Sequence, residues 1–216
     1  PIVGIAAHEA DDVIGTLATG AGMPVDIVTG DRDLFQLVDD AAAVRVIYTA
    51  RGMSRLEIVT GAVVESKYGV RPEQYVDFSV MRGDASDGLP GVPGIGEKTA
   101  ASLLAEHGNL AGILAAAASG TGMSAAMRAR LAGAADYLAV APTVVKVVRD
   151  LELGSFDAAI TAPAPAAREE LDRLRESYGL GATVTRAIAA LEKAASENSA
   201  PGVPAPENPA PENPAP

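Results

Sequence analysis

An α/β fold, with a parallel-type sheet layer that gives way to a helical arm, is what this sequence predicts. Three observations carry that expectation. Short branched runs alternate with helical patterns through the first part of the chain, strand signals nearly stop after Gly83, and 48% of the residues are apolar, ample for a buried core.

Pro1 to Ala6 reads as a short apolar, strand-like run, and a helical pattern follows from Glu9 to Thr19. Val25 to Val28 is a second strand, with a helix from about Leu34. Strand then helix, twice, indicates a parallel layer. Val44 to Tyr48 and Leu56 to Val59 read as two more strands around a turn at Arg51-Gly52. Thr60 then caps a helix ending near Tyr68-Gly69, and Pro72 starts another toward Met81. Beyond Gly83 a loop rich in Gly, Pro and Asp leads to helices at Lys98 to Glu106, Leu110 to Ala117 and Ser124 to Ala139. Val144 to Leu153 has enough branched residues for one late strand, and a charged amphipathic helix spans about Ala167 to Tyr178. From Ser196 the repeat PAPENPAPENP lacks large apolar residues and cannot offset its ordering entropy by burial, so a disordered tail is expected.

Composition removes several kinds of chemistry. With no cysteine and two histidines, His8 and His107, thiolate and histidine-built metal sites are excluded. No apolar run is long enough to span a bilayer and no secretory signal opens the chain, so a cytoplasmic location is expected. The net charge of −11 argues against nonspecific attraction to nucleic acid, although clustered acids account for much of it. Pro1 opens inside an apolar run, and the expectation is a fragment or shortened product of a longer protein.

Seven carboxylates fall in three clusters: Glu9, Asp11 and Asp12 in HEADDVIGTLA, Asp31 and Asp33 in VTGDRDLFQLV, and Asp84 and Asp87 in RGDASDGLPG. Packed together they would raise each other's pKa unless hard cations sit among them. Asp31 and Asp33 follow a strand, at the edge where open α/β sheets bind ligands. Each cluster alone has an ordinary explanation: a cap for Asp33, first-turn acids for Glu9, Asp11 and Asp12, a turn for Asp84 and Asp87. Together they carry more acids than caps and turns require. Two divalent ions roughly 3.5–4 Å apart can activate water and stabilise a leaving oxygen, which needs several carboxylates and no protein nucleophile.

The third cluster runs into GLPGVPGIGEKT, from Gly88 to Thr99. This is no P-loop, because Glu97 separates Gly96 from Lys98 and no strand precedes it. Two helices joined by a tight hairpin, with backbone N–H groups and Lys98 gripping a phosphate, fit better, and an ordinary turn is the competing explanation. Adjacency to Asp84 and Asp87 favours the phosphate clamp, which would touch the sugar-phosphate backbone and not read base sequence.

EADDVIGTLA, TGDRDLFQLV and GDASDGLPGVPGIGEKTA resemble, in order and spacing, the motifs of the bacterial 5′ nucleases: the 5′-3′ exonuclease domain of DNA polymerase I and its stand-alone flap endonuclease relatives. The resemblance covers roughly Ile2 to Leu153 and weakens toward Tyr178. It implies a PIN-like 5′ nuclease core with a helix-three-turn-helix DNA-binding arm. The implied domains are 1–82 as the C-terminal part of the core, 83–195 as the helix-three-turn-helix and following helices, and 196–216 as the tail. It also implies two magnesium ions (Mg²⁺, with Mn²⁺ as a substitute), one at Glu9, Asp11 and Asp12 and one at Asp31, Asp33, Asp84 and Asp87. Gly91, Val92, Gly94, Ile95, Gly96, Lys98 and Thr99 would form the DNA-binding turn, with a potassium ion (K⁺) in the hairpin. The implied substrate is DNA with 5′ ends, flaps or nicks, cut in replication and repair. The family's N-terminal strand, with a further aspartate, and its basic helical arch have no counterpart here.

Two other classes remain open at this stage. A haloacid dehalogenase-type phosphatase shares an aspartate pair after a strand, but Phe35 stands where a small residue is wanted and the hairpin has no role. A noncatalytic DNA-binding module would use the hairpin without the metal site.

Overall fold

The structure is a computed structural model that describes residues 1–120 and 122–198. It divides into two compact units, Val3–Leu153 and the chain from Gly154 together with Pro1–Ile2. In the first unit, α1 (Ala10–Thr19) leads to β1 (Val25–Thr29), and β2 (Val44–Tyr48) and β3 (Glu57–Val59) complete a three-stranded sheet in the order β1-β2-β3. Helices α2 (Gly61–Tyr68), α3 (Tyr75–Arg82), α4 (Glu97–His107), α5 (Leu110–Ser119), α6 (Ala125–Gly133) and α7 (Ala135–Val145) follow.

The sheet is mixed where a parallel layer was expected. β1 and β2 pair parallel, with Val25 opposite Val44, while β3 runs antiparallel to β2, with Val46 opposite Val59. Connection length decides this. Residues 30–43 give β1 and β2 a fourteen-residue crossover, whereas residues 49–56 leave only eight between β2 and β3. A parallel link needs a dozen or more residues.

Two expected strands are absent. Pro1 to Ala6 joins no ladder among the described residues; Ile2 is fully exposed and Ala7 takes a positive φ of 64°. The branched run Val144 to Leu153 begins as the end of α7 and continues extended but unladdered. Its N–H groups go to side chains instead: Val147 N–H to Gln36 Oε1, Val148 N–H to Asp12 Oδ1 and Leu151 N–H to Thr16 Oγ1. The helix expected from Leu34 is a short 3₁₀ turn, Asp33–Leu37. The stretch from Ser124 to Ala139 is two helices that meet at Ala134, whose φ of −106° and ψ of 12° break the run.

The core is continuous across the boundary drawn at residue 82, since Phe78 and Val80 on one side are buried in one cluster with Leu104 and Leu138 on the other. Tyr137 Oη donates to Val80 O at 2.8 Å, tying α7 to α3. Its aromatic centre is Phe35, 2% exposed, with its ring centroid 5.3 Å from Tyr48 and 5.5 Å from Tyr75. Truncating a buried aromatic of this kind costs about 3–5 kcal/mol. Burial of Phe35 anchors the 3₁₀ turn and so holds Asp33, two residues earlier, at the sheet edge.

In the second unit, α8 (Pro165–Tyr178) ends at Gly179, whose φ of 63° supplies the left-handed cap, and α9 (Ala182–Asn198) follows, joined to α8 by an Arg168–Glu192 ion pair. The tail expected from Ser196 begins inside α9, and the rest of it lies outside the described residues. No helix among the described residues is long and apolar enough to cross a membrane.

Candidate active site

Six of the seven carboxylates converge. Glu9, Asp11, Asp12, Asp31, Asp33 and Asp87 line one cleft of about 470 Å³, closed on its far side by residues 143–148. Glu9 is the N-cap of α1 and Asp11 stands in its first turn. Asp31 stands two residues beyond the end of β1, and its Oδ1 accepts the N–H of Asp33 at 2.9 Å, the local bond that turns the chain into the 3₁₀ segment. Asp84 and Asp87 stand on a tight loop closed by a reciprocal pair, Asp84 N–H to Leu89 O at 3.0 Å and Leu89 N–H to Asp84 O at 2.8 Å.

Asp84 and Asp12 stand apart from the other five. Asp84 does not line the cleft; it pairs with Arg82 at 3.0 Å and Arg32 at 3.5 Å and accepts from the Ser86 hydroxyl. The Ser86 hydrogen bond, ahead of the two arginines, holds the Asp84 carboxyl below the usual range against its burial. Asp12 is committed on both oxygens, Oδ2 to the Glu9 N–H at 3.3 Å and Oδ1 to the Val148 N–H at 2.8 Å. Capping therefore accounts for part of what Glu9 and Asp12 do, since the two form a capping box at the start of α1, and for none of what Asp11 contributes.

The remaining acids feel one another across all three clusters. Burial, then Asp31, Asp87 and Asp84, pushes the Asp33 carboxyl up to about 7. Burial, then Asp31, Glu9 and Asp12, raises Asp11, and burial, then Asp84 and Asp31, raises Asp87. Such a field is what a divalent cation relieves. Among the described residues no three acids stand close enough to enclose an ion by themselves. Magnesium keeps several waters and takes only one or two carboxylates, so an open cleft with an all-oxygen donor set fits it better than a closed cage would. A larger cleft, about 850 Å³, lies beside Asp40, Arg71 and Glu73, where Arg71 pairs with Glu73 at 2.5 Å and Asp40 Oδ1 accepts the Gly61 N–H at 3.1 Å.

The glycine-rich turn joins the acidic loop to α4. A Cβ on Gly91, where φ is 71°, would lie 2.5 Å from Arg82 O, so no other residue fits without moving the backbone. Val92 and Ile95 are buried, 2% and 4% exposed, and fix the turn through Val92 N–H to Met81 O and Ile95 N–H to Val92 O, both at 2.9 Å. That leaves Gly94, Gly96 and Lys98 exposed and Thr99 half-buried at the surface. Gly96 is the N-cap of α4 and makes no side-chain cap, so the first N–H groups of the helix face outward without a side-chain acceptor.

Two family patterns tile this chain: the 5′-3′ exonuclease N-terminal resolvase-like domain over residues 1–69, and the 5′-3′ exonuclease C-terminal SAM fold over residues 70–167. The chain belongs to the 5′-3′ exonuclease family. A curated 5′-3′ exonuclease of Streptomyces coelicolor is 52% identical over 191 residues, covering 88% of this chain and 63% of that protein. One of Mycobacterium tuberculosis is 41% identical over 199 residues, with the same coverage, and DNA polymerase I of Mycobacterium bovis is 55% identical over 105 residues, 47% of this chain and 11% of that protein. This member of the family thus spans 63% of the length of the two exonucleases it matches. Among solved structures, bacteriophage T5 5′-exonuclease with bound divalent metal ions (zinc) aligns with a TM-score of 0.55 at 21% identity, over 65% of this chain and 51% of that one. A T5 flap endonuclease in a pseudo-enzyme-product complex with DNA and metal ions aligns with the same TM-score at 16% identity, over 89% of this chain and 61% of that one. At these identities the likeness carries the fold alone.

Three residues of this exonuclease-family chain escaped the sequence reading. Arg130, on α6, donates to Gly94 O at 3.2 Å and brings a second cation to the hairpin. Arg82 and Arg32 converge on Asp84. Motif spacing does not show them: Arg130 and Arg32 reach partners 36 and 52 residues away, and the Arg82–Asp84 pair, only two residues apart, is set by how the loop turns after α3.

Proposed function

We propose that this chain carries the metal cleft and DNA clamp of a divalent-metal-dependent 5′-3′ exonuclease and structure-specific flap endonuclease. The observation that carries the reading is the meeting of six carboxylates from three chain segments in one cleft, joined by a rigid glycine loop to a hairpin with outward N–H groups. Two magnesium ions, or manganese in their place, would supply a hydroxide from bound water and charge for the leaving oxygen. Glu9 and Asp11 hold one side of the cleft, and Asp31, Asp33 and Asp87 the other. Asp84, neutralised by Arg82 and Arg32, keeps the loop in place. The start of α4 and Lys98 hold a backbone phosphate, so that a duplex next to a 5′ end, flap or nick is gripped by shape. Potassium belongs to the same reading, on the carbonyl side of the hairpin where Arg130 already meets Gly94 O. A cytoplasmic place accords with action on DNA.

The chain as it stands should cleave a labelled 5′-flap DNA with Mg²⁺ and lose that cleavage with chelator or in Asp11→Asn. Binding without cleavage would instead support a noncatalytic DNA-binding module. The phosphatase alternative falls to family membership and to Phe35, which is locked in the aromatic core.

A further inference from the structure

Gln36 is a polar side chain only 3% exposed, set among Leu34, Phe35 and Leu37. Its amide is fully used. Nε2 donates to Asp33 O at 2.8 Å and to Val145 O at 2.9 Å, and Oε1 accepts the Val147 N–H at 3.1 Å. Its own main-chain oxygen accepts from Arg149 Nη2 at 2.7 Å. One side chain thus ties the peptide of a cleft carboxylate to the segment that forms the opposite wall of the cleft. The wall is pinned again at Asp12 Oδ1 and Thr16 Oγ1. An aliphatic residue would fill the same space, so packing alone does not call for an amide. Fixing Asp33 against residues 145–147 does.

Resting on the metal-dependent reading above, we infer that Gln36 is a positioning residue that sets the affinity of the cleft for a divalent cation, acting through Asp33 and the Val145–Val147 wall. Gln36→Met conserves volume and removes all three side-chain bonds. Gln36→Glu keeps the acceptor for Val147 and turns the two donations into repulsion between a carboxylate and two carbonyls.

The test is calorimetric titration of the whole chain with Mn²⁺, beside duplex-DNA binding in chelator. Losing such a supporting partner typically costs 10–100-fold in metal affinity. Both variants should raise the Mn²⁺ Kd by about tenfold or more, with DNA binding in chelator unchanged. A packing role alone would lower the thermal midpoint and leave the Kd of the folded variants as in wild type, which overturns the inference. Should neither variant fold, amide hydrogen exchange on the wild-type chain decides: by reciprocity of coupled equilibria, Mn²⁺ must slow exchange at Val147, and unchanged exchange overturns the inference. A wild-type chain that binds no Mn²⁺ overturns the metal-dependent reading along with it. Metal binding that is equal in wild type and variants overturns the Gln36 role alone.

Discussion

The carboxylate cleft and the glycine hairpin adjoin in the chain, yet they are built on opposite principles. The cleft is made of side chains that repel one another, held at the ends of α1 and β1 by a core that does not yield. The hairpin is made of backbone, and its shape is set by what is missing, a Cβ at Gly91. A site of repelling charges gains from a divalent cation and depends on pH; a site of backbone dipoles needs no divalent cation and carries no titrating group. The two should therefore come apart under mutation.

The largest separation is expected from Asp31→Asn, which should cut cleavage by about 10²–10³-fold or more, the scale seen on removing one preorganised electrostatic group. Duplex binding in chelator should stay intact, and a gel-based cleavage assay beside an anisotropy titration checks both. Unchanged cleavage would sink the metal-site assignment. Gly91→Ala attacks the other region: strain at a φ of 71° and a 2.5 Å approach to Arg82 O should destabilise the fold by more than about 1 kcal/mol, read as a lower urea midpoint, and weaken DNA binding. Lys98→Ala is milder. It should weaken binding equally across sequences and lower the slope of log affinity against log salt by about 1, without altering the Mg²⁺ concentration that cleavage requires.

The smallest effect sharpens the comparison through pH. The Asp33 carboxyl titrates near 7 in the folded chain, far above its unfolded value of 3.8, so the unfolded state loses its proton first as pH rises. Its contribution to stability is complete below the unfolded value and is lost as pH rises through about 7. Without metal, the thermal midpoint of wild type should fall more between pH 5 and pH 8 than that of Asp33→Asn. Added Mg²⁺ should stabilise wild type more at pH 8 than at pH 5, because the cation holds the ionised form.

The convergence of the acids was legible in the sequence because each cluster follows an element end, where a short-range pattern shows it. So was the hairpin, since Gly91 and Gly94 need φ values only glycine adopts freely. The late strand was not. Val145, Val147 and Val148 have strand composition, but the partners of their backbone lie at Gln36 and Asp12, more than a hundred residues away. β-propensity reports a fit to a pleated, half-buried surface and cannot say what satisfies the N–H groups. The antiparallel β3 is a related miss, since branched residues announce a strand while the length of the link sets its direction. Gln36 left no trace at all, being one polar letter in an apolar run.

The wall of the cleft also imposes an order of manufacture. A ribosome releases Asp12 and Gln36 136 and 111 residues before the amides they must hold, and in between it delivers all of α2 to α7. A product halted before Val147 therefore owns every acid of the cleft but lacks the amides of Val147 and Val148 that tie its far wall to Gln36 and Asp12. For a chain whose proposed work is cutting DNA, the cleft cannot take its full shape until residues 147 and 148 have been made.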